Sequence, residues 1–315
     1  MPEIPVFTHD EVLQAVSPLE AIRHVREGFV EYAGGEWAMP PKVYLDASPN
    51  GDFRAMPAMG AGLAILKWVT SFPRNPEAGL PVVMGLICIS SSADGEPMAL
   101  VDARSVTALR TGAVAAIAAQ ELAPEDSRSA GIVGCGLHGS WAARCLAAAE
   151  YAPGVCHDPD PDAAGALAGE LGWEVGSRED ALACDVVTCV TPGDEPVVTE
   201  GDLRPGLHLN LLGADGPGKA EAEVEAVLEC ELFCDDWTQA SHGGELTGAV
   251  ERGLVDRERV TELGEVLTGA AGGRSGQEAV TLFDSTGLAI QDLAICQALL
   301  EAHRAGTVRP HSVNL

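Results

Sequence analysis

The sequence predicts an α/β protein made of two domains. From residue 129 onward, short apolar runs alternate with helical patterns, which is typical of parallel β-α-β units with both faces of the sheet covered. Before residue 103, several β-rich runs joined by turn residues follow one long helix, which is typical of a mostly antiparallel sheet. We therefore expect a doubly wound parallel sheet together with a second, α+β domain.

The N-terminal domain is predicted to begin with a helix that starts after Ser17. Serine is a preferred N-cap residue, Pro18 suits the first turn, and Glu20 completes a capping box. Gly34 and Gly35 end this helix. The β-rich runs that follow are residues 42–45, 53–56, 64–69 and 82–90.

An alanine-rich helix over residues 103–122, stopped near Pro124, leads into the second domain. A final helix over residues 287–304 is long enough to return to the first domain. The predicted domains are therefore residues 1–122 with 293–315, and residues 123–292. Within the second domain, strands are predicted at residues 130–133, 154–157, 185–190, 207–212, 231–234 and 279–283, and helices at 140–149 and 162–171.

The charge balance excludes two classes of partner. The chain carries 47 Asp and Glu against 19 Lys and Arg, a formal net charge of −28. Nucleic acids and anionic membranes need a basic patch, and the sequence offers none. No run approaches the roughly 18 apolar residues of a membrane span, and residues 1–3 open no signal peptide. We expect a soluble, cytoplasmic protein.

The same composition predicts a halophilic protein. At low ionic strength such a surface repels itself, whereas molar salt shortens the screening length to about 3 Å, so stability should depend on salt. The nine cysteines are scattered, with no C-x-x-C pair and no histidine partners at zinc spacing. Buried free thiols and no metal site are therefore expected.

Three glycines form a G-x-G-x-x-G pattern between a predicted strand and a predicted helix. Gly134 makes the tight turn, Gly136 lets the backbone approach a pyrophosphate, and Gly139 lets the helix and strand pack closely. The phosphates would lie at the positive end of the helix, beside Leu137 and His138. His138 is interpreted as a cofactor contact rather than a base. The alternative is a glycine-rich turn that binds no ligand.

An aspartate follows the next strand at the spacing that dinucleotide sites use. Asp158 lies 24 residues beyond Gly134, where it can accept hydrogen bonds from an adenosine ribose. Because Asp160 and Asp162 are close behind, a 2′-phosphate would meet like charge, which favours NAD over NADP. The second domain is therefore predicted to be a Rossmann-type domain that binds NAD.

The chain contains three lysines, each in a short motif-like run, which suggests a role other than solubility; the alternative is chance. They are Lys42, Lys67 and Lys219. Lys67 lies in the middle of the apolar run of residues 65–69. It is either a buried ammonium that faces a pocket, which we favour, or a lysine on an edge strand whose side chain reaches solvent.

Hydride transfer to a small amino or keto acid requires cations for the carboxylate, a donor for the carbonyl or imine, and a group that transfers a proton. Asp215 follows the predicted strand of residues 207–212, at the sheet edge where such proteins bind ligands, and is the candidate for proton transfer. Its alternative role is a helix cap in the turn of residues 216–218. The candidate substrate-binding cations are Lys42, Arg54, Lys67 and Arg110.

Ordered runs along nearly the whole chain resemble the ornithine cyclodeaminase/μ-crystallin family. They are residues 39–45, 54–58, 66–69, 75–76, 79–81, 109–113, 134–136, 213–219 and 283–292. Two departures are visible: many relatives have Gln-Ala where this chain has His138-Gly139, and many have arginine in place of Lys42. Lysine cannot make the bidentate contact that arginine makes with a carboxylate.

The resemblance implies a homodimer in which the N-terminal domain, completed by the last helix, forms both the dimer interface and the substrate floor beneath the Rossmann domain. It also implies that Lys67 contacts the substrate and that Asp215 shuttles a proton. The residues it places at NAD are Arg110, Thr111, Gly136, Leu137, His138, Asp158, Gly213, Ala214, Asp215, Lys219 and Ser285.

The resemblance implies an NAD-dependent oxidoreductase that acts on a small amino or keto acid. The favoured activity is that of an alanine dehydrogenase, in which pyruvate and ammonia form an imine that is reduced. Ornithine cyclodeaminase and a reductase of cyclic imino acids are the enzymatic alternatives. A crystallin-like protein that binds NAD without turnover is the alternative from another class, and the presence of both Lys67 and Asp215 argues against it.

Overall fold

The structure is a computed structural model that describes residues 3–193, 195–216 and 218–314. It contains two compact units. One combines the chain up to Arg110 with the chain from Leu288 onward, and the other is Thr111–Gly287. The boundary between Arg110 and Thr111 falls inside the continuous helix Ala103–Leu122. The apolar periodicity of the sequence does not mark a boundary at that position. The domain boundaries predicted after residues 122 and 292 stay predictions.

The first part of the chain is rich in strands. The predicted helix after Ser17 is confirmed: the Ser17 side chain accepts a hydrogen bond from the backbone N–H of Glu20 within a capping box. The elements in chain order are β1 (Glu3–Phe7), α1 (His9–Ala15), α2 (Pro18–Ala33), β2 (Val43–Asp46), β3 (Asp52–Gly60), β4 (Leu63–Ser71), β5 (Val83–Ser91), β6 (Pro97–Asp102) and α3 (Ala103–Leu122).

The second part alternates strands and helices, as predicted. Its elements are β7 (Ala130–Val133), α4 (Leu137–Ala148), β8 (Gly154–His157), α5 (Pro161–Leu171), β9 (Glu174–Val175), α6 (Arg178–Leu182), β10 (Val186–Cys189), β11 (His208–Leu211), α7 (Val224–Leu228), β12 (Glu231–Cys234), α8 (Trp237–Gly243), α9 (Thr247–Glu251), β13 (Val260–Glu262), α10 (Leu263–Leu267) and β14 (Thr281–Asp284). The chain then forms α11 (Ala289–Arg304) and β15 (His311–Asn314). The sequence patterns did not predict β6 or the short elements β1, α1, β9, α6, α7, α8, α9, β13, α10 and β15. Most of these elements have too few residues to define a periodicity.

The first unit is built on a seven-stranded sheet in the order β15-β1-β6-β5-β4-β3-β2. Every pairing is antiparallel except β1 with β6, which confirms the predicted mostly antiparallel sheet. Helix α11 packs against α2 and against β3 and β4. The side chains of β4 alternate between a buried face, with Ile65, Lys67 and Val69, and an exposed face, with Leu66 and Trp68.

The second unit is built on an eight-stranded sheet in the order β13-β12-β14-β11-β10-β7-β8-β9. All its pairings are parallel, and the four residues of each of β7, β10, β11 and β14 are buried. Along the chain, this sheet begins with β7, and β8 is then added on one side and β10 on the other. This is the doubly wound arrangement predicted from sequence, and it confirms the α/β fold class.

No helix within the described ranges is long and apolar enough to cross a membrane. In the same ranges, no group of three or more His, Cys, Asp or Glu side chains is arranged to hold a metal ion. The cysteines are free, and all are buried except Cys88. Cys88 differs from the prediction because it lies on the outward face of β5, between the inward residues Ile87 and Ile89.

Candidate functional site

The turn after β7 has a shape that requires glycine at its first position. Gly134 has a φ of +97°, in the region that side chains rarely adopt. A Cβ atom at this position would lie 2.5 Å from the carbonyl oxygen of Val190, which follows β10. The turn therefore lies between the carboxyl ends of β7 and β10, where the strand order reverses. Ligands of doubly wound sheets bind at this point.

The other two glycines have opposite surroundings. A Cβ atom at Gly139 would lie 1.8 Å from the carbonyl oxygen of Gly134, so helix α4 can approach the turn only without a side chain there. A Cβ atom at Gly136 would meet no heavy atom of the described residues within 4 Å. Gly136 is the N-cap of α4 and provides no side-chain cap, so the N–H groups of the first turn can bind an anion. This loop fits a pyrophosphate.

Asp158 lies directly after β8 and is held by two backbone N–H groups. Its Oδ2 atom accepts a hydrogen bond from Cys135 at 2.7 Å, and its Oδ1 atom accepts one from Asp160 at 2.8 Å. The Asp160 side chain in turn accepts from Asp162 and caps α5. The partly exposed carboxylate of Asp158 is thus oriented beside the glycine turn, where it can accept hydrogen bonds from hydroxyl groups. His138, in the first turn of α4, is also partly exposed.

Asp215 lies in the loop that follows β11, where its partly exposed carboxylate pairs with a lysine. Nζ of Lys219 donates to Oδ1 of Asp215 at 2.7 Å. No helix begins in the described residues from Asp215 to Glu223, since the next helix, α7, starts at Val224. The alternative interpretation of Asp215 as a helix cap is therefore wrong.

A buried carboxylate that the sequence did not reveal holds this loop in place. Oε1 of Glu221 accepts hydrogen bonds from the backbone N–H of Thr191 at 2.6 Å and from its hydroxyl at 2.8 Å. Oε2 of Glu221 accepts from the backbone N–H of Gly213 at 2.6 Å. Thr191 follows β10 and Gly213 follows β11, so Glu221 connects the ends of two neighbouring strands. A Cβ atom at Gly213 would lie 2.2 Å from the Thr191 carbonyl oxygen, which explains the glycine.

A second buried carboxyl group supports the first. Glu245 accepts hydrogen bonds from the backbone N–H groups of Glu221, at 2.8 Å, and Ala222, at 2.7 Å. Burial raises the pKa of Glu245 to about 8, and burial also raises the pKa of Glu221. Sequence reasoning missed both residues, because the segment around them is rich in glutamate and nothing distinguishes a buried one.

Several predicted cofactor contacts are buried within the second unit. The Ser285 hydroxyl donates to Oδ2 of Asp235 at 2.8 Å, and the backbone N–H of Gly287 donates to the same oxygen at 2.9 Å. Asp235 therefore shapes the loop that follows β14. Thr111 and Ala214 are also buried.

Lys67 lies in the middle of β4, and its ammonium is buried. The side chain is 2% exposed, and Nζ donates to the Thr107 hydroxyl at 2.7 Å and to Oδ1 of Asp292 at 2.9 Å. Because β4 lies between β3 and β5, it is not an edge strand, and the alternative of a side chain that reaches solvent is wrong. The Thr107 hydroxyl donates its own proton to the Ala103 carbonyl at 2.7 Å, so it accepts from Lys67.

Helix α11 brings two polar side chains to this cluster. Oδ1 of Asp292 lies 4.0 Å from Nε of Arg110, and Oε1 of Gln291 accepts a hydrogen bond from Arg110 at 3.4 Å. Oδ2 of Asp292 and Nε2 of Gln291 are buried and have no hydrogen-bond partner among the described residues. Buried polar atoms of this kind are uncommon, so both atoms have capacity for a hydrogen bond to a further polar group. Asp292 was detectable as the one charged residue in the mostly apolar run of residues 289–300, the signal that singled out Lys67.

The charge on Lys67 depends on these neighbours. Burial lowers the pKa of the Lys67 ammonium, the carboxylate of Asp292 raises it, and the guanidinium of Arg110 lowers it. The net direction is downward from the usual lysine value. Lys67 is thus an ammonium whose charge is stabilised mainly by one carboxylate.

The other two predicted substrate-binding cations lie near β2 and β3. Arg54 on β3 forms a bidentate ion pair with Asp52, with Nε to Oδ1 at 2.6 Å and the terminal nitrogen to Oδ2 at 3.2 Å. Its guanidinium also lies 5.5 Å from the ring centre of Tyr44. Lys42 directly precedes β2 and is partly exposed.

Comparisons with known proteins agree on one family. The family model described as "Ornithine cyclodeaminase/mu-crystallin family" matches residues 5–307 of this chain. An alanine dehydrogenase from Archaeoglobus fulgidus is 41% identical over 95% of this chain and 95% of its own. The solved structure of an archaeal alanine dehydrogenase dimer with bound NAD is 40% identical, with a TM-score of 0.94 and all of both chains covered. The Thermococcus litoralis Δ1-pyrroline-2-carboxylate reductase, solved with NADH and L-proline, is 27% identical, with a TM-score of 0.92 over 99% of this chain and 100% of the other.

Proposed function

Because this chain belongs to the ornithine cyclodeaminase/mu-crystallin family, we propose that it is an NAD-dependent alanine dehydrogenase. In the proposed reaction, pyruvate, ammonium, NADH and a proton give L-alanine, NAD and water, and the reverse reaction deaminates alanine. The observation that carries the proposal is the 41% identity to an alanine dehydrogenase over 95% of both chains.

The proposed NAD site is the carboxyl edge of the parallel sheet in the second unit. The first turn of α4, from Gly136 through Leu137 and His138, would hold the pyrophosphate, and Asp158 would accept the ribose hydroxyls. The open space around Gly136 and the absence of a side-chain cap support this assignment. Further proposed contacts are Arg110, Thr111, Gly134, Gly139, Gly213, Ala214, Asp215, Lys219 and Ser285.

NAD supplies the hydride chemistry when bound. We assign the Lys67 ammonium to polarise the carbonyl or imine of the substrate, because it is a buried charged donor in the first unit. Asp215 would transfer protons, because its carboxylate is partly exposed in a loop at the carboxyl edge of the sheet. Lys42, Arg54 and Arg110 would bind the carboxylate of the amino or keto acid.

A second candidate is reduction of a cyclic imino acid. It is favoured by the TM-score of 0.92 to a pyrroline-2-carboxylate reductase, although the identity is lower, at 27%. Both reactions reduce a carbon–nitrogen double bond next to a carboxylate, so the same cations and proton donor serve either substrate. The two candidates differ in whether free ammonium is consumed.

The test follows NADH absorbance in molar salt. Consumption of NADH with pyruvate only when ammonium is present supports the alanine dehydrogenase. Consumption with Δ1-pyrroline-2-carboxylate and none with pyruvate and ammonium replaces it with the imino acid reductase. Conversion of ornithine to proline without net NADH accumulation replaces it with a cyclodeaminase. NADH binding without turnover of any of these substrates would contradict all three enzymatic functions and favour a binding protein.

We also propose that the protein is a homodimer through the outward face of the first unit's sheet. Large apolar side chains are exposed there on neighbouring strands, and a face of this kind is typical of an interface. They include Val43 and Leu45 on β2, Leu66 and Trp68 on β4, and Leu86 on β5. The archaeal relative of known structure is a dimer, which supports a second copy as the occupant.

The interface proposal is tested by sedimentation of two matched variants. Leu86→Glu places a charge in the face and is expected to give monomers. Leu254→Glu is the control, because Leu254 is similarly exposed but lies in the second unit. A Leu86→Glu protein that stays dimeric would contradict this choice of surface.

The environment we propose is a reducing, salty cytoplasm. Nine free cysteines suit a reducing compartment, since oxidising ones favour disulfides. A net charge of −28 suits high salt, which screens repulsion between acidic side chains.

A further inference from the structure

The carboxylate of Asp292 lies near two cations, Lys67 and Arg110, in the interior of the first unit. Oδ1 of Asp292 lies 2.9 Å from Nζ of Lys67 and 4.0 Å from Nε of Arg110, and the Asp292 side chain is fully buried. Removing one partner from a buried ion pair leaves an uncompensated charge in a medium that solvates it poorly. The protonation state of Lys67 therefore depends on Asp292.

We propose that Asp292 is the positioning residue for Lys67: its carboxylate holds the ammonium in place and keeps it protonated for the reaction. This inference rests on the proposed function, in which Lys67 polarises the substrate. Asp292 acts through Lys67, and its role is distinct from that of Thr107, which contacts the same nitrogen.

The groups around Lys67 show why Asp292 has this role. Asp292 and Cys296 face it from α11, and Arg110 faces it from α3. Burial raises the pKa of the Cys296 thiol well above its usual value, so that group is neutral. Arg110 repels the ammonium, and burial also lowers the pKa of Lys67. Only the carboxylate of Asp292, among these described neighbours, favours the charged form strongly at neutral pH.

The two partners of Lys67 can be removed separately. Asp292→Asn keeps the shape and removes the charge, whereas Thr107→Val keeps the charge and removes the neutral hydrogen bond. Both variants are expected to lower kcat at neutral pH, by about a hundredfold, because the donor is misplaced. Only Asp292→Asn is expected to move the alkaline limb of the pH profile of kcat/KM to lower pH, because Lys67 then loses its proton more easily. This variant is expected to recover activity when the pH is lowered. Asp292→Glu, which restores the charge, is expected to return that limb toward the wild-type position.

A direct measurement uses the scarcity of lysine in this chain. With Lys42, Lys67 and Lys219 as the three lysines, ¹³C labelling at the lysine ε-carbon gives three NMR signals, which Lys42→Arg and Lys219→Arg assign by elimination. In the wild type, the Lys67 signal is expected to be that of an ammonium at about neutral pH. In Asp292→Asn it is expected to titrate at lower pH, and in Thr107→Val its titration is expected to stay near that of the wild type.

Three outcomes overturn the inference. They are a neutral amine at Lys67 in the wild type at neutral pH, an unchanged Lys67 titration in Asp292→Asn, and an equal displacement in Thr107→Val. The first uses only wild-type protein, so it holds even if Asp292→Asn fails to fold. The NMR titration requires no turnover, so the expected displacement in a protein inactive on pyruvate and ammonium would support the inference while rejecting the proposed substrate.

Discussion

Oδ2 of Asp158 accepts a hydrogen bond from the backbone N–H of Cys135 at 2.7 Å, so the acidic residue after β8 is oriented by the glycine turn after β7. The contact connects the two parts of the proposed dinucleotide site, the turn for the phosphates and the carboxylate for the ribose. The hydrogen bond also makes the acidic residue part of the local structure.

Replacing this carboxylate should change cofactor preference. We expect Asp158→Ser to weaken NAD binding and to narrow the difference between NAD and NADP, because the acceptor for the ribose is lost and repulsion of a 2′-phosphate is reduced. Fluorescence titration with NADH and NADPH measures both affinities. Glu229→Gln, which changes an exposed acidic residue directly after α7, is the control. An unchanged preference in Asp158→Ser would show that the ribose contact lies elsewhere.

The glycines of the fingerprint should separate stability from binding. Gly139→Ala is expected to lower Tm sharply, because the new Cβ would lie 1.8 Å from the Gly134 carbonyl oxygen. Gly136→Ala has space among the described residues, so it should keep Tm while weakening NADH binding. Thermal unfolding and NADH titration of both proteins give the comparison. Full NADH affinity in folded Gly136→Ala would argue against a pyrophosphate at that loop.

The proposed catalytic groups should affect turnover more than cofactor binding. We expect Lys67→Ala and Asp215→Asn each to lower kcat at least about a hundredfold. NADH binding should stay largely intact, because Lys67 acts on the substrate and asparagine keeps the size and polarity of the side chain at the proposed NAD contact of Asp215. Steady-state rates and NADH titrations measure the two effects. Wild-type activity in either variant would remove that residue from the mechanism.

Stability should fall as pH rises through the range in which Glu245 keeps its proton only in the folded protein. Burial raises the pKa of Glu245 from 4.5 to about 8 in the folded protein. Below pH 4.5 this side chain is protonated in both the folded and the unfolded chain, and its contribution to the free energy of unfolding is fully present. As pH rises toward about 8, the unfolded chain loses the proton first and the contribution is lost, on the order of several kcal/mol.

Glu245→Gln isolates this contribution. Glutamine cannot ionise, so the variant is expected to lose less stability than the wild type between about pH 5 and about pH 8. Denaturant unfolding at constant salt across that range measures the difference. Parallel curves for the two proteins would show that Glu245 does not hold a proton in the folded state.

Salt should stabilise the protein through its surface charge. With a net charge of −28, we expect Tm to rise between about 0.1 M and 1 M KCl, because the screening length shortens from about 10 Å to about 3 Å. Sucrose, which adds no charge screening, is the control. A Tm that responds equally to both solutes would contradict an electrostatic cause.

The sequence alone determined the features that depend on neighbouring residues. The cap at Ser17, the strand before Gly134 and the helix over residues 103–122 all follow from local patterns, and the structure confirms them. The parallel sheet followed from the alternation of short apolar runs with helical patterns. The burial of Lys67 was favoured because a lone charge stood in an apolar run, and the position of β4 inside the sheet excluded the alternative.

Only the tertiary structure showed which side chains meet across long separations. Asp292 reaches Lys67 from 225 positions away, and Glu221 connects Thr191 with Gly213 across two strand ends. Such contacts depend on how helices and loops pack on each sheet. An apolar neighbourhood could mark Asp292 as buried but could not name its partner, and no local pattern distinguishes Glu221 and Glu245 from the other acidic residues of a chain that has 47. Local chemistry therefore determined the elements and the glycine turn, whereas packing decided which acids control the site.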